Sequence, residues 1–268
     1  MPGDSGRFDT GTAHAARIYD YLLGGTDHYP PDREAGDAMC REWPALPVHM
    51  RANRDWLNRA VRRLARQAGV RQFLDIGSGL PTSPNIHEIA QAEAPESRVV
   101  YVDNDPLVRS LSQGLLNGSP AGLTAYVEAD LRDPAAVLGS PALLETLDLG
   151  APVALTVVAI VHFLLDEDDA VGAVRRLLEP LPSGSYLAMS VGTADFAPVE
   201  VGRVAAVYAD RGMPMRLRTR AEAAEFFTDL DLVPPGIVQV HRWHPEPGSG
   251  TAVRDEDIAM YGAVARKP

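Results

Sequence analysis

Three runs of this chain end in carboxylates, at spacings that suit a nucleoside ligand. The first, Gln72-Phe-Leu-Asp-Ile-Gly-Ser-Gly-Leu-Pro-Thr82, is an apolar stretch stopped by Asp75 and then by Gly77 and Gly79. Glycine takes backbone angles closed to other residues, and without a β-carbon it lets a ligand lie against the main chain. The second run, 98–105, closes on Asp103, Asn104 and Asp105. Asp103 falls where dinucleotide-type folds place an acid for ribose hydroxyls. The third, 124–130, closes on Asp130. Two glycines after a strand also serve a plain tight turn. Three successive acid-terminated strands argue for more, because their C-terminal ends would line the sheet edge at which open α/β sheets bind ligands.

Groups able to move a proton lie elsewhere. His162 follows the most apolar run, 152–160, so that Ala159-Ile-Val-His-Phe163 would floor the site. An imidazole titrates near neutral pH, which makes His162 the first candidate base; a structural histidine at a strand end is the competing reading. The segment Arg17-Ile-Tyr-Asp-Tyr-Leu-Leu-Gly-Gly-Thr-Asp-His-Tyr29 sets Tyr19, Asp20, Tyr21, Asp27, His28 and Tyr29 around a double glycine. As a lid it would bring Asp20 and His28 to the reacting atoms and Tyr21 to the nucleotide. As scaffolding it would be a buried helix with hydrogen-bonded tyrosines. His241 and His244 bracket Trp243 on an expected strand with no accompanying carboxylate motif, so no metal is expected. Cys40, Met213 and Met215 read as packing residues.

These groups need a frame. The run 73–76 is short and bounded by turn residues, as a strand buried on both faces of a parallel sheet should be. Ser83-Pro84 reads as N-cap and first helical position, which would aim the leading N–H groups of a helix at the ligand. Strands and helices alternate from residue 72, with strands at 98–105, 124–130, 152–160 and 185–191. The acids 166–169 open a helix to 178. Helices are predicted at 195–210 and 219–227, the latter opening with the capping box Thr219-x-x-Glu222. Segments 236–243 and 258–266 suit an antiparallel hairpin at one sheet edge, joined by a loop at 245–250. Before the first strand, helices at 14–23, 32–41 and 49–67 form a cap, with Pro30-Pro31 breaking the chain. The expected organisation is a flexible tail at 1–12, a helical cap or lid at 13–70, and an α/β domain at 71–268.

Composition narrows the function. Across 268 residues, 25 basic and 36 acidic residues give a net charge of −11, against a broad nucleic-acid surface. Every basic residue except Lys267 is arginine. Arg51, Arg54, Arg59, Arg62, Arg63, Arg66 and Arg71 read as a solvated helix face. No apolar run approaches the roughly 20 residues of a membrane span. One cysteine excludes an internal disulfide, and the opening Met-Pro-Gly-Asp-Ser-Gly lacks the features of a signal peptide, so a reducing cytoplasm is expected. A small-molecule partner is favoured.

Gly77-x-Gly79-x-x-Thr82 lacks the third glycine of the nicotinamide fingerprint, and no Gly-Lys-Ser/Thr phosphate loop occurs. The pattern Asp75-x-Gly77-x-Gly79 instead resembles the first motif of the class I S-adenosylmethionine-dependent methyltransferases, with Asp103 and Asn104 in the ribose-binding place and Asp130 with Leu131 in the adenine-binding place. Together with Arg17-Ile-Tyr-Asp-Tyr-Leu-Leu-Gly-Gly, Ala129-Asp-Leu-Arg-Asp-Pro and Gly192-Thr-Ala-Asp, it resembles the bacterial S-adenosyl methyltransferase family long described as a domain of unknown function. Ser78 stands where threonine is also common. The resemblance implies a Rossmann-like sheet of five parallel strands plus the late hairpin, and S-adenosylmethionine as cofactor. Gly77, Ser78 and Gly79 would underlie its methionyl part with Asp75 near the amino group, Asp103 would accept the ribose hydroxyls, Asp130 the adenine amino group, and Ala159 would sit beside the reacting methyl. A methyltransferase acting on a small-molecule acceptor is the expectation; a nicotinamide-dependent oxidoreductase and a non-catalytic S-adenosylmethionine-binding regulator are the alternatives.

Overall fold

The computed structural model describes residues 9–108, 119–245 and 253–268. Five strands form the parallel part of one sheet: β1 (Gln72–Ile76), β2 (Arg98–Asp103), β3 (Leu123–Glu128), β4 (Ala154–Val158) and β5 (Tyr186–Gly192). The short β6 (Asp231–Leu232) and β7 (Val238–Gln239) both pair antiparallel with β8 (Met260–Arg266), which is itself antiparallel to β5. The order β3-β2-β1-β4-β5-β8-β6 puts β1 and β4 at the centre, and the chain reverses its direction of growth between them. That reversal opens a crevice at the strands' C-terminal ends.

Every residue of β1 is buried, because helices cover both faces of the sheet. Leu74, Ile76, Val100, Val102, Leu155 and Val157 pack on one side against Val137, Leu143, Val174 and Leu177. These come from α5 (Pro134–Leu138), α6 (Pro141–Thr146) and α7 (Ala170–Leu178). On the other side lie α3 (Leu46–Arg66) and α4 (Ile86–Glu93). In α3, Trp56, Leu57, Ala60, Val61 and Leu64 recur at three- and four-residue steps and bury a stripe against Phe73, Val99, Ala154 and Ala188. A third cluster joins α1 (Ala15–Leu23) and α2 (Pro30–Glu42) to α8 (Pro198–Ala209), through Ile18, Leu22, Met39, Trp43, Val201 and Tyr208. The N-terminal helices thereby roof the crevice. The last helix, α9 (Arg220–Glu225), begins at the Thr219–Glu222 capping box.

Several expectations are corrected. Pro30 and Pro31 open α2, since the first helical positions need no N–H partner. The helix after β1 starts at Ile86, capped by Asn85 with Glu88 returning to the Asn85 N–H; Ser83 and Pro84 precede it across a cis bond. Its N–H groups therefore start beyond the glycine bend. Asp166–Asp168 form a single turn, and Asp169 caps α7 by accepting from the Gly172 N–H. The late hairpin keeps only two residues of its first strand, because the chain turns at Val240–Arg242 to bury Trp243 edge-on against Trp56. Arg54 and Arg59 are no solvated face: Arg54 donates to the Thr82 and Pro84 carbonyls and Arg59 to those of Val240 and Trp243. Residues 1–8 of the expected tail, 109–118, where a helix ending near 114–118 is expected after the second strand, and 246–252 of the late loop lie outside the described residues. Among the described residues no helix is long and apolar enough to cross a membrane.

Candidate functional site

A cavity of about 810 Å³ opens over the C-terminal ends of β1, β2 and β4. Its first half is built by the strand-end acids and the bend between Gly77 and Gly79. The Gly77 and Ser78 N–H groups both donate to the Val102 carbonyl, which draws the bend across to β2. Gly77 has φ +70°, and a β-carbon there would stand 2.8 Å from Ile160. Only glycine fits without strain at that point.

Asp75 is 6% exposed; one carboxylate oxygen accepts from the Thr156 hydroxyl at 2.6 Å. Burial pushes its acid up to about 6, against the opposing pull of that hydrogen bond and of Arg54. Asp103 accepts from the Gly79 N–H at 2.7 Å and from the Asp105 N–H at 3.0 Å. Burial raises its acid as well, although both backbone bonds favour the ionised form. Asp130 lies two residues past the end of β3, where Asn104 donates to it at 2.7 Å and the Arg132 N–H at 2.8 Å. Arg132 continues to Asp168 and to the Phe163 carbonyl, fixing the loop after β3 to the loop after β4. Leu131 is buried in the core below and also lines the cavity. The Ser78 hydroxyl is buried without a partner among the described residues. Ala159 adopts φ +55°, a left-handed angle that costs about 1 kcal/mol for a residue with a β-carbon. Its N–H is held by Ser190, through carbonyl and hydroxyl.

The second half is apolar and comes mostly from helices. Trp43, Met50, Phe163, Tyr208, Met213 and Met215 line it. Met213 and Met215, expected only to pack, are cavity wall. Polar groups enter in a chain that runs from Ser190 to Asn53 at 2.7 Å, on to the Tyr19 hydroxyl at 3.1 Å, and ends at the Met50 carbonyl. His49 and His162 also line this half. Burial takes His49 down to about 4 and His162 to about 3. The sequence-based ground for His162 as a base, titration near neutral pH, is therefore overturned by its burial.

The expected lid residues divide. Asp20 lines the cavity, yet its carboxylate accepts from the Asp27 N–H at 2.9 Å and faces His28 Nδ1 at 3.0 Å. A β-carbon on Gly25 would overlap that carboxylate, so Asp20 is the internal support of the double-glycine turn. His28 and Tyr21 do not line the cavity. Tyr21 meets His28 edge-on, with its hydroxyl on Asp37 at 2.5 Å, which takes it away from any nucleotide over the bend. His241 binds Asp255, and His244 binds the Pro234 carbonyl. Among the described residues no group of three or more His, Cys, Asp or Glu side chains is placed to hold a metal.

Sequence reasoning missed His49, Asn53 and Arg54. A signal existed: His49 and Asn53 are polar, four residues apart, on the otherwise apolar stripe of α3, where only a site or a buried network would hold them. His14 and Arg17 were missed too; they reach Asp105 at 3.2 and 3.7 Å and tie the start of α1 to the loop after β2.

The sequence pattern of the S-adenosyl methyltransferase family matches residues 2–268. A DUF574 family protein from Streptomyces avermitilis, known from a crystal structure, is 75% identical and covers 98% of this chain and 100% of its own, with a TM-score of 0.96. A candidate methyltransferase from Thermobifida fusca is 36% identical, covering 100% of this chain and 99% of its own at a TM-score of 0.89. No functionally curated protein matches. The chain belongs to the S-adenosyl methyltransferase family, and S-adenosylmethionine is the cofactor of its methyl transfer.

Proposed function

We propose that the protein methylates a small molecule, with the donor held over the ends of β1, β2 and β3 and the acceptor in the apolar half of the same cavity. The observation that carries this reading is the single space of about 810 Å³ shared by buried strand-end acids and an aromatic lobe, roofed by helices. Such a space admits a metabolite and excludes a folded macromolecule.

The first half fits an adenosyl sulfonium. The unpartnered Ser78 hydroxyl and the bare backbone at Gly77 suit a methionyl chain lying across the bend. Asp75 retains an oxygen beyond its bond to Thr156, with which to accept from an ammonium group. Asp103 is fixed by two backbone N–H groups and keeps lone pairs for ribose hydroxyls. Asn104 links the ribose place to Asp130, which with Leu131 flanks the adenine place, and Ala159 turns the chain toward the methyl. When bound, the cofactor supplies a methyl on a sulfonium, already a good leaving group. The chain's own contribution is alignment and exclusion of water. Asp20 serves by holding the turn that closes α1, and residues 13–70 act as a cap over the domain at 71–268. A free, half-buried Cys40 accords with a reducing cytoplasm.

Family membership sets the nicotinamide alternative aside. The test is transfer of isotopically labelled methyl from S-adenosylmethionine into a cell extract separated by size. Label in the low-mass fraction is expected; label confined to protein or nucleic acid would overturn the reading.

A further inference from the structure

The hydrogen bonds of two cavity histidines fix which ring nitrogen carries the proton. The Ala259 N–H donates to His49 Nδ1 at 3.2 Å, and the Gly192 N–H donates to His162 Nδ1 at 3.3 Å. A backbone amide can only donate, so each Nδ1 is bare and each neutral ring keeps its proton on Nε2. Neither Nε2 has a protein partner among the described residues, and neither is sealed from the cavity. Burial keeps both rings neutral at physiological pH. The acceptor half thus offers two N–H donors and no imidazole base. Of the carboxylates that line the cavity, Asp20 is already committed to Asp27 and His28.

Two donors lining one cavity can select a nucleophile by its lone pairs. An oxyanion has three, so it can accept both bonds and still present one to an electrophile. An amine has a single pair, which either donor would block. With no imidazole base at hand, Asp168 paired to Arg132 and Glu167 exposed, this half suits a hydroxyl that ionises by itself near neutral pH, as an electron-poor phenol or enol does. The flat body of such a molecule suits a lobe walled by Trp43, Phe163, Tyr208 and Met213.

We propose that the acceptor is a small acidic phenol or enol, bound as its oxyanion between the Nε2–H groups of His49 and His162 and methylated on that oxygen. The proposal rests on the methyl-transfer reading above. The hydroxyl proton leaves to water before transfer. An oxyanion lone pair then forms the O–C bond while the C–S bond breaks; its electron pair stays on sulfur as a neutral thioether, and nothing is oxidised or reduced.

The test needs no turnover. Protein saturated with S-adenosylhomocysteine is titrated calorimetrically with para-nitrophenol and with nitrobenzene, which lacks the phenolic hydroxyl, while the visible phenolate band is followed. Wild type is expected to hold the phenolate about ten-fold tighter or better, with the band retained. His49→Asn and His162→Asn keep an acceptor in the place of Nδ1, and so the bonds to Ala259 and Gly192, but withdraw the outer donor. Each should cut the preference about ten-fold. His49→Gln and His162→Gln, which put an amide N–H near the place of Nε2, should restore most of it. Equal binding of both probes by wild type, or full preference in the Asn variants, would overturn the proposal. S-adenosylmethionine affinity is measured alongside: its absence in wild type defeats the donor site as well, whereas intact donor binding without phenolate preference defeats only the oxyanion seat.

Discussion

The two halves of the cavity are built by opposite means. In the donor half, polar groups come from strand ends and the turns that follow them, and each acid is fixed by backbone N–H groups or a near neighbour: Asp103 by Gly79 and Asp105, Asp130 by Asn104 and Arg132. In the acceptor half, the wall is assembled from helices far apart in sequence, Trp43 and Met50 from the N-terminal layer and Tyr208 from α8, with few polar side chains among them. The lesson is one of tolerance. A site made of hydrogen-bonded backbone fails when one atom is removed, whereas an apolar wall can be recontoured while the donor seat stays intact.

The largest effect that would break this comparison is at Asp103. Asp103→Ala strands two buried N–H groups and should lower stability by about 4 kcal/mol while abolishing measurable donor binding, read by denaturant titration and calorimetry. Met215→Ala, in the other half, should leave donor affinity within about 0.5 kcal/mol. Equal losses in the two variants would remove the distinction.

Acid sharpens it further. His49 and His162 titrate near 6.5 when unfolded but at about 4 and about 3 in the fold, so the stability of their neutral rings is complete above 6.5 and lost as pH falls below it. Asp75 acts oppositely: raised to about 6, it binds its proton in the fold before the unfolded chain does, which favours the fold below 6. Two histidines outweigh one acid. The folded state should lose on the order of 3 kcal/mol between about pH 6.5 and about pH 4.5, and His49→Asn should flatten that decline. A flat wild-type profile would contradict the assigned burial of the rings.

A smaller effect separates the halves by pH alone. The proposed donor seat uses Asp75 in its ionised form, so S-adenosylmethionine affinity should fall up to about ten-fold per unit as pH drops below 6. Asp75→Asn should bind more weakly, with no such slope. An unchanged slope in the variant would take Asp75 out of the seat.

The strand-end half of the cavity was largely legible in the sequence, because a parallel strand, its terminal acid and the glycines after it are contiguous. Local chemistry also placed the Thr219–Glu222 cap. What escaped was set by tertiary contacts. Ser83-Pro84 has the residue types of a helix start, but Asn85 with Glu88 satisfies more N–H groups and wins the cap. Tyr21 and His28 sit in an aromatic-rich segment, yet α1 turns them onto each other and toward Asp37. Nothing around His162 in the sequence marks it, and burial, with His49 and Arg218 nearby in the fold, lowers it. The acceptor wall has no local pattern at all, since Trp43, Phe163, Tyr208 and Met213 meet only once the N-terminal helices dock on α8.

A crystal structure of the protein with S-adenosylhomocysteine tests the central claim most directly. The account predicts ribose hydroxyls on Asp103, the methionyl chain over Gly77 to Gly79, and sulfur facing the lobe that holds His49 and His162. An adenosyl group bound elsewhere, or sulfur turned away from that lobe, would contradict it.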